Sequence, residues 1–346
     1  MGKVLVTGGI GFIGSHTVVE LIQNKFEVVV VDNLSNSQLE VLDGIEKITG
    51  VRPLFCNYDL SRKDDVDKLF SEQKNINSII HFAASKAVGE SVQKPLLYYR
   101  NNLCSLIYLL EAMTANGVAH IVFSSSCTVY GQPDRLPVTE DTPFKPAESP
   151  YGNTKQICEE ILRDTCFADK TINAIALRYF NPAGAHESAL IGELPRGVPN
   201  NLVPVITQAA AGLREEIRVF GTDYNTHDGS AVRDYIHVVD LARAHVVALQ
   251  RMLNGRQENN YEYFNLGTGK GFSVLDVIQT FERVNNLTLK YRLVARRAGD
   301  IEKIYADTSV ANNVLGWKTY LDLDEMVRSA WKWQTYLKQH PEWIRS

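Results

Sequence analysis

Along residues 1–180, short apolar runs alternate with longer stretches in which apolar positions recur every three or four residues. Short apolar runs bounded by turn-forming residues read as buried strands, and the 3.6-residue period reads as amphipathic helix. The pattern predicts strands over Lys3–Thr7, Glu27–Asp32, Arg52–Asp59, Ser78–Ala83, His120–Ser125 and Ile172–Tyr179, with helices over 12–24, 63–74, 95–116 and 150–169 between them. Pro95 and Pro150 suit the first turns of the last two helices, where a missing N–H costs little. Strands alternating with helices imply an α/β domain, a parallel sheet flanked by helices. Beyond Asn181 the pattern loosens: Pro, Gly and Asn cluster through 182–201, then helices and short strands mix. The expected division is 1–181 and 182–346, the second smaller, less regular and partly returning to the main sheet. The tail from Trp331 reads as a helix broken by Pro341.

The first strand turns into the first helix through Thr7-Gly8-Gly9-Ile10-Gly11-Phe12-Ile13-Gly14. A strand that reaches a helix through such a loop is suited to a pyrophosphate. Gly8 permits the turn, Gly11 lets the backbone approach the ligand, and Gly14 lets helix and strand pack closely. Amides at the helix start, and the helix dipole, favour the anion. The second strand, Val28-Val29-Val30-Val31, ends in Asp32 at the spacing of a ribose-binding carboxylate. That acid accepts from a ribose hydroxyl and repels a phosphate, which favours NAD over NADP. The fold implied is a Rossmann-type doubly wound parallel sheet. Its ligands bind beyond the carboxyl ends of the strands, where the glycine loop, Asp32, Asp59-Leu60, Phe82-Ala83 and Ser124–Ser126 all fall. A second glycine-rich stretch, Phe264–Gly271, lacks the Lys-Ser/Thr order of a phosphate loop. It reads as a strand–turn–helix junction with Ser273 as the helix cap.

Composition narrows the class. The chain has 346 residues, 45% hydrophobic and 22% charged, with a formal charge of −4. Those values suit a globular protein and give no reason to expect nucleic-acid binding; an anionic substrate would need local arginines. The five cysteines (Cys56, Cys104, Cys127, Cys158, Cys166) show neither a C-x-x-C pair nor zinc spacing, so no metal site is expected and free thiols in a reducing compartment are. No apolar run reaches membrane-spanning length. The expectation is a cytoplasmic enzyme with no membrane partner.

Tyr151-Gly152-Asn153-Thr154-Lys155 places a phenol and an ammonium on one helical face, and Ser124-Ser125-Ser126 follows a strand aimed at the same crevice. Oxidising an alcohol by hydride transfer needs a base for the hydroxyl proton. A free phenol titrates near 10, so activity at neutral pH demands a shift of roughly 3 units, or about 4 kcal/mol. An ammonium at about 4–5 Å supplies on the order of 3–4 kcal/mol at an effective dielectric near 20, and an oxidised nicotinamide adds more. Tyr151 is thus a candidate base, with Lys155 and Ser126 as partners.

The glycine loop, the serine and Y-x-x-x-K together resemble the extended short-chain dehydrogenase/reductase family. His81-Phe82-Ala83-Ala84-Ser85-Lys86-Ala87-Val88-Gly89-Glu90-Ser91, Arg178-Tyr179-Phe180-Asn181-Pro182, Pro199-Asn200-Asn201-Leu202 and Val232-Arg233-Asp234-Tyr235-Ile236-His237-Val238 are similar to its UDP-sugar 4-epimerases nearly end to end. The resemblance implies an NAD site lined by Phe12, Ile13, Asp32, Asn33, Ser35, Asn36, Ser37, Asp59, Leu60, Phe82, Ala83, Ala84, Lys86, Asn101, Ser124, Tyr151 and Lys155, with Phe180 closing over it. It implies a UDP-sugar site of Lys86, Ser126, Tyr151, Asn181, Asn201, Leu202, Arg218, Val219, Phe220, Arg233, Arg297, Asp300 and Ile304. Arginines such as Arg233 and Arg297 also suit a diphosphate on chemical grounds. The implied reaction is reversible inversion at carbon 4 of UDP-glucose and UDP-galactose through a 4-keto intermediate, in a homodimer joined through the helices around 95–116 and 150–169.

Two departures within that family matter. Dehydrating relatives carry an acid pair beside the serine, whereas Ser126 is followed by Cys127-Thr128-Val129, so loss of water is not expected. Cys127 reads as a small packing residue rather than a nucleophile. Members restricted to glucose and galactose often carry a bulky aromatic where this chain has Ile304; the smaller side chain implies some turnover of N-acetylated UDP-sugars.

Overall fold

The computed structural model describes residues 2–197, 199, 201–296 and 301–343. Its strands are β1 (Lys3–Thr7), β2 (Glu27–Val31), β3 (Leu54–Cys56), β4 (Ile76–His81), β5 (His120–Ser124), β6 (Asn173–Tyr179), β7 (Asn181–Ala183), β8 (Ile217–Phe220), β9 (Val232–His237), β10 (Tyr261–Leu266), β11 (Gly271–Ser273), β12 (Tyr291–Val294) and β13 (Lys303–Ile304). Its α-helices are α1 (Phe12–Gln23), α2 (Glu40–Thr49), α3 (Lys63–Glu72), α4 (Val88–Gln93), α5 (Pro95–Asn116), α6 (Pro150–Ala168), α7 (Leu202–Ala210), α8 (Val238–Leu253), α9 (Val274–Asn285) and α10 (Leu323–Gln339).

Seven strands form one sheet in the order β10-β6-β5-β4-β1-β2-β3, every neighbouring pair parallel. Strand alternation sorts its side chains into two cores. Val4, Val6, Val28 and Val30 face α1, α2 and α8 through Val18, Leu42 and Leu241. Leu5, Val29, Ile79 and Phe123 face α3, α5 and α6 through Leu69, Leu109 and Leu162. Both faces are thus covered, as parallel sheets require. The chain order reverses between β1 and β4, which opens a crevice at their carboxyl ends.

A third core joins α7, α9 and α10 to β8 and β9 through Ile206, Phe281, Met326, Val219 and Tyr235. This part is not separate from the sheet: β10 adds beside β6 in register Tyr261↔Ala174 to Leu266↔Tyr179, and α8 lies beneath. Ser273 caps α9, its hydroxyl accepting from Asp276 N at 2.9 Å while the Asp276 carboxylate accepts from Ser273 N at 2.8 Å.

Some boundaries differ from the sequence pattern. The third strand shrinks from Arg52–Asp59 to Leu54–Cys56, since Pro53 offers no N–H for the ladder and Asp59 turns back to Ser61. Helix α2 carried no sequence expectation, because it starts without a side-chain cap and holds Gly44 mid-helix. The tail helix begins at Leu323, capped by Asp322, and ends before Pro341.

Candidate active site

The crevice floor is the glycine loop. Gly8 has φ +65, a conformation L side chains rarely adopt. At Gly14 a Cβ would stand 2.2 Å from Gly8 O, so only glycine lets α1 meet the loop. Helix α1 starts after Gly11 with no side chain capping its amides and with Phe12 and Ile13 half-buried. That leaves an uncapped, positively polarised helix end for an anion. Thr7 Oγ1 locks the neighbouring strand, meeting His81 Nδ1 at 2.7 Å and accepting from Ala83 N at 3.1 Å. It sets Phe82-Ala83 against Gly8, whose added Cβ would come within 2.9 Å of Ala83 N. Burial pushes His81 down to about 3, so it is a neutral spacer.

Asp32 lies at the end of β2. Its Oδ1 accepts from Leu34 N at 3.0 Å and Ser37 Oγ at 2.6 Å, while burial raises its pKa above the usual carboxylate value. Asn33 shapes the same turn by accepting from Ser35 N at 3.0 Å, and Asn36 is exposed at its tip. The glycine floor, the uncapped helix end and this carboxylate fit a dinucleotide. Asn101 donates to Ser85 Oγ at 3.2 Å beside Ala84 and Lys86. Its neighbour Asn102, which sequence reasoning passed over, is the stronger organiser. It is buried, accepting from Ser85 N at 2.8 Å and donating to Ser85 O at 3.1 Å and Thr154 Oγ1 at 3.0 Å.

Helix α6 delivers the phenol and ammonium. Ser149 caps it, accepting from Gly152 N at 3.2 Å, and Pro150 opens its first turn. Tyr151 is 8% exposed, its phenol beside the Ser126 hydroxyl. Burial first, then Tyr179, pushes its phenol above the ordinary value, the Ser126 hydroxyl opposing them. Lys155 Nζ sits 5.9 Å from the Tyr151 ring centroid and donates to Ser124 O at 2.8 Å. Burial lowers Lys155 to about 8, with Cys158 and Glu159 partly opposing. Burial thus holds the phenol above its ordinary value in the protein alone, so Tyr151 is protonated there until a further positive charge joins the crevice. Ser124 Oγ meets Tyr179 OH at 2.6 Å.

Glu159, one turn after Lys155, holds Arg178 in a buried ion pair, Nη2 to Oε2 2.6 Å, and accepts from Ser125 Oγ at 2.5 Å and Tyr261 OH at 3.0 Å. This network fixes α6 against β5, β6 and β10. Arg178 stands in a motif quoted above, and its +4 relation to the lysine was the only sequence signal for Glu159.

Phe180 packs with Val129, Tyr130, Val138, Ile304 and Ala306, with Cys127 at the edge. Burial pushes the Cys127 thiol up to about 12, in keeping with packing rather than nucleophilic attack. Ile304 pairs in register with Arg233, whose Nη1 donates to Val232 O at 2.9 Å. Asn181 begins β7 opposite Tyr235. Asn201, at the start of α7 before Leu202, donates to Glu193 Oε1 at 2.6 Å, and Lys86 Nζ lies 3.9 Å from the same oxygen. Glu193 had no sequence signal.

Other expected residues stand elsewhere. Leu60 and Val219 are core side chains, leaving only backbone to meet a ligand. Asp59 accepts from Ser61 N and Oγ at 2.9 and 2.7 Å. Arg218 lies 3.9 Å from Glu216 on the exposed face of β8, and Phe220 ends that strand. Arg297 and Asp300 lie outside the described residues. Among the described residues His227, Asp228 and Asp276 form the one group of metal-type ligands, but its carboxylates already accept from Ser230 and Ser273.

Residues 5–330 match the GDP-mannose 4,6 dehydratase family. The chain is 51% identical over 342 residues to the UDP-glucose 4-epimerase of Haemophilus influenzae, covering 99% of each. It superposes on the UDP-glucose 4-epimerase of Stenotrophomonas maltophila, solved with NAD and formylated UDP-arabinopyranose, with TM-score 0.94 and 48% identity over 98% of this chain and 100% of that one. The Bifidobacterium longum enzyme, in complex with NAD+ and UDP, gives TM-score 0.92 and 47% identity, covering 96% and 98%.

Proposed function

Because this chain belongs to the UDP-glucose 4-epimerases, a branch of the extended short-chain dehydrogenase/reductase family, we propose that its crevice epimerises UDP-glucose and UDP-galactose at carbon 4, with Tyr151 as the base. The carrying observation is the buried Tyr151 phenol beside the Ser126 hydroxyl and the Lys155 ammonium, at the strand ends that also bear the glycine loop. When bound, NAD would take up and return the hydride and add a second positive charge beside that of Lys155.

The residues divide the remaining work. Tyr151 accepts the proton of the 4-hydroxyl and returns it after the sugar has turned. Ser126 orients that hydroxyl, and Lys155, held by Ser124 O, stabilises the phenolate. Gly8, Gly11 and the α1 amides hold the pyrophosphate of the dinucleotide, and Asp32 its ribose. Arg233 and Asn201 grip the substrate diphosphate end. The wall of Phe180, Ile304 and Cys127 has few polar groups, which lets the 4-keto sugar rotate. Residues 1–181 accordingly serve NAD, and 182–346 serve the nucleotide sugar, with β10 and α8 returned to the main sheet.

Ile304 is smaller than an aromatic at the same place, so UDP-N-acetylglucosamine is expected to react; no turnover where UDP-galactose reacts well sinks that part. Exposed Leu96, Leu97 and Ile107 on α5, at 77, 48 and 38%, and Phe167 on α6, at 78%, support a homodimer through α5 and α6. Five free cysteines support a reducing, cytoplasmic setting, and no described helix is long and apolar enough to cross a membrane. Purified protein given UDP-galactose and no added NAD should yield UDP-glucose with only a trace of NADH. A net dehydrogenase would instead stop once its bound NAD was reduced, and would turn over only with added NAD consumed one for one with substrate.

A further inference from the structure

The reading above requires NAD to stay bound through turnover, and one segment spans both lips of the groove. After β7 the chain pairs with itself at Ala185 and Gly192 and is pinned to α10, Trp333 Nε1 donating to Glu193 O at 2.9 Å and Lys332 Nζ to Glu187 O at 2.6 Å. It re-enters as α7 at Leu202. On the ribose side it rests on α2, where a Cβ on Gly44 would stand 2.3 Å from Leu190 O. Arg196 then reaches the turn that bears Asp32: Nη1 donates to Leu34 O at 3.0 Å and Ser35 O at 3.5 Å, and Nη2 to Ser37 O at 2.7 Å. At the other lip Glu193 joins Asn201 and Lys86.

That turn is not a relaxed one. Leu34 has φ +60, which a branched side chain disfavours, so an outside tie that fixes its carbonyl keeps Asp32 and Ser37 aimed at the ribose. We propose that residues 184–197 form a strap that retains NAD, with Arg196 as its latch on the adenosine-ribose turn. The inference rests on the NAD reading above. Arg196 is a positioning residue: its fork is spent on carbonyls, and it acts on the cofactor through the turn.

The test is exchange of bound NAD for radiolabelled NAD added in excess, followed by rapid gel filtration of the holoprotein. Arg196 is exposed, so Arg196→Ala leaves no buried hole and should fold. Its exchange should be on the order of tenfold faster than wild type. Arg196→Lys, which keeps the charge without the fork, should fall between. Arg52→Ala removes another exposed arginine tied to α2, through Asp43 and Glu46, and should exchange like wild type. Arg196→Ala exchange within about twofold of wild type, or equal acceleration by Arg52→Ala, overturns the latch. A wild-type protein that neither carries nor takes up NAD overturns the cofactor reading instead.

Discussion

At the scale of single residues, the chemistry depends on how burial and charge divide control of one phenol. Tyr151→Phe keeps the ring and its packing but removes the acidic proton. It should cut kcat by about 10²–10⁴-fold while leaving NAD bound, as read by initial rates and by cofactor content after gel filtration; near-wild-type rates would remove Tyr151 from the base role. Lys155 has a stability signature. Its folded pKa, about 8, lies below the ordinary 10.5, so the unfolded chain binds more protons between those values and stability rises with pH across them. Paired denaturant melts at about pH 7.5 and 10 should move the difference between wild type and Lys155→Met towards wild type, by about 2 kcal/mol. No relative shift would mean the ammonium is not desolvated. The glycines, Asp32, Tyr151 and Lys155 were legible because their chemistry needs fixed local spacing. Asn102, Glu193 and Arg196 were not, since their partners lie on other segments and no local pattern marks them.

At the scale of elements, α2 shows how a tertiary contact overrides propensity. An alanine at a helix-interior glycine ordinarily stabilises by about 1 kcal/mol. Gly44→Ala should instead destabilise by about 1–3 kcal/mol, because its methyl would press on Leu190 O. Thermal melts decide, and a raised Tm would show that the strap does not rest there. The same glycine, with no capping side chain at Leu39, kept α2 out of the sequence pattern. Strands β1, β2, β5 and β6 stood out because their apolar runs are buried on both faces. The place of β10 did not, since its pairing with β6 joins residues more than eighty positions apart, an alignment set by the folded sheet.

At the scale of the whole molecule, burial of neutral histidines sets the acid limit. His16, His81 and His237 are pushed down to about 3 and His245 to about 4, each mainly by burial. Their stabilisation is complete above the ordinary 6.5 and is lost as pH falls towards those values, at about 1.4 kcal/mol per pH unit for each. Buried carboxylates such as Asp32 and Glu193 are raised, so their uptake of protons in the folded chain opposes this loss. Between about pH 6.5 and 5 His245→Phe should reduce the loss of stability on acidification by about 1.4 kcal/mol per pH unit; an unchanged slope would contradict its burial as a neutral ring.

The most direct test follows the hydrogen on carbon 4. UDP-galactose deuterated at that carbon is incubated with the purified protein and no added NAD, and the UDP-glucose formed is read by mass spectrometry and NMR. The expected product has the inverted configuration and still carries its deuterium. Product that has exchanged that deuterium for solvent hydrogen would contradict a hydride lent and returned within one crevice.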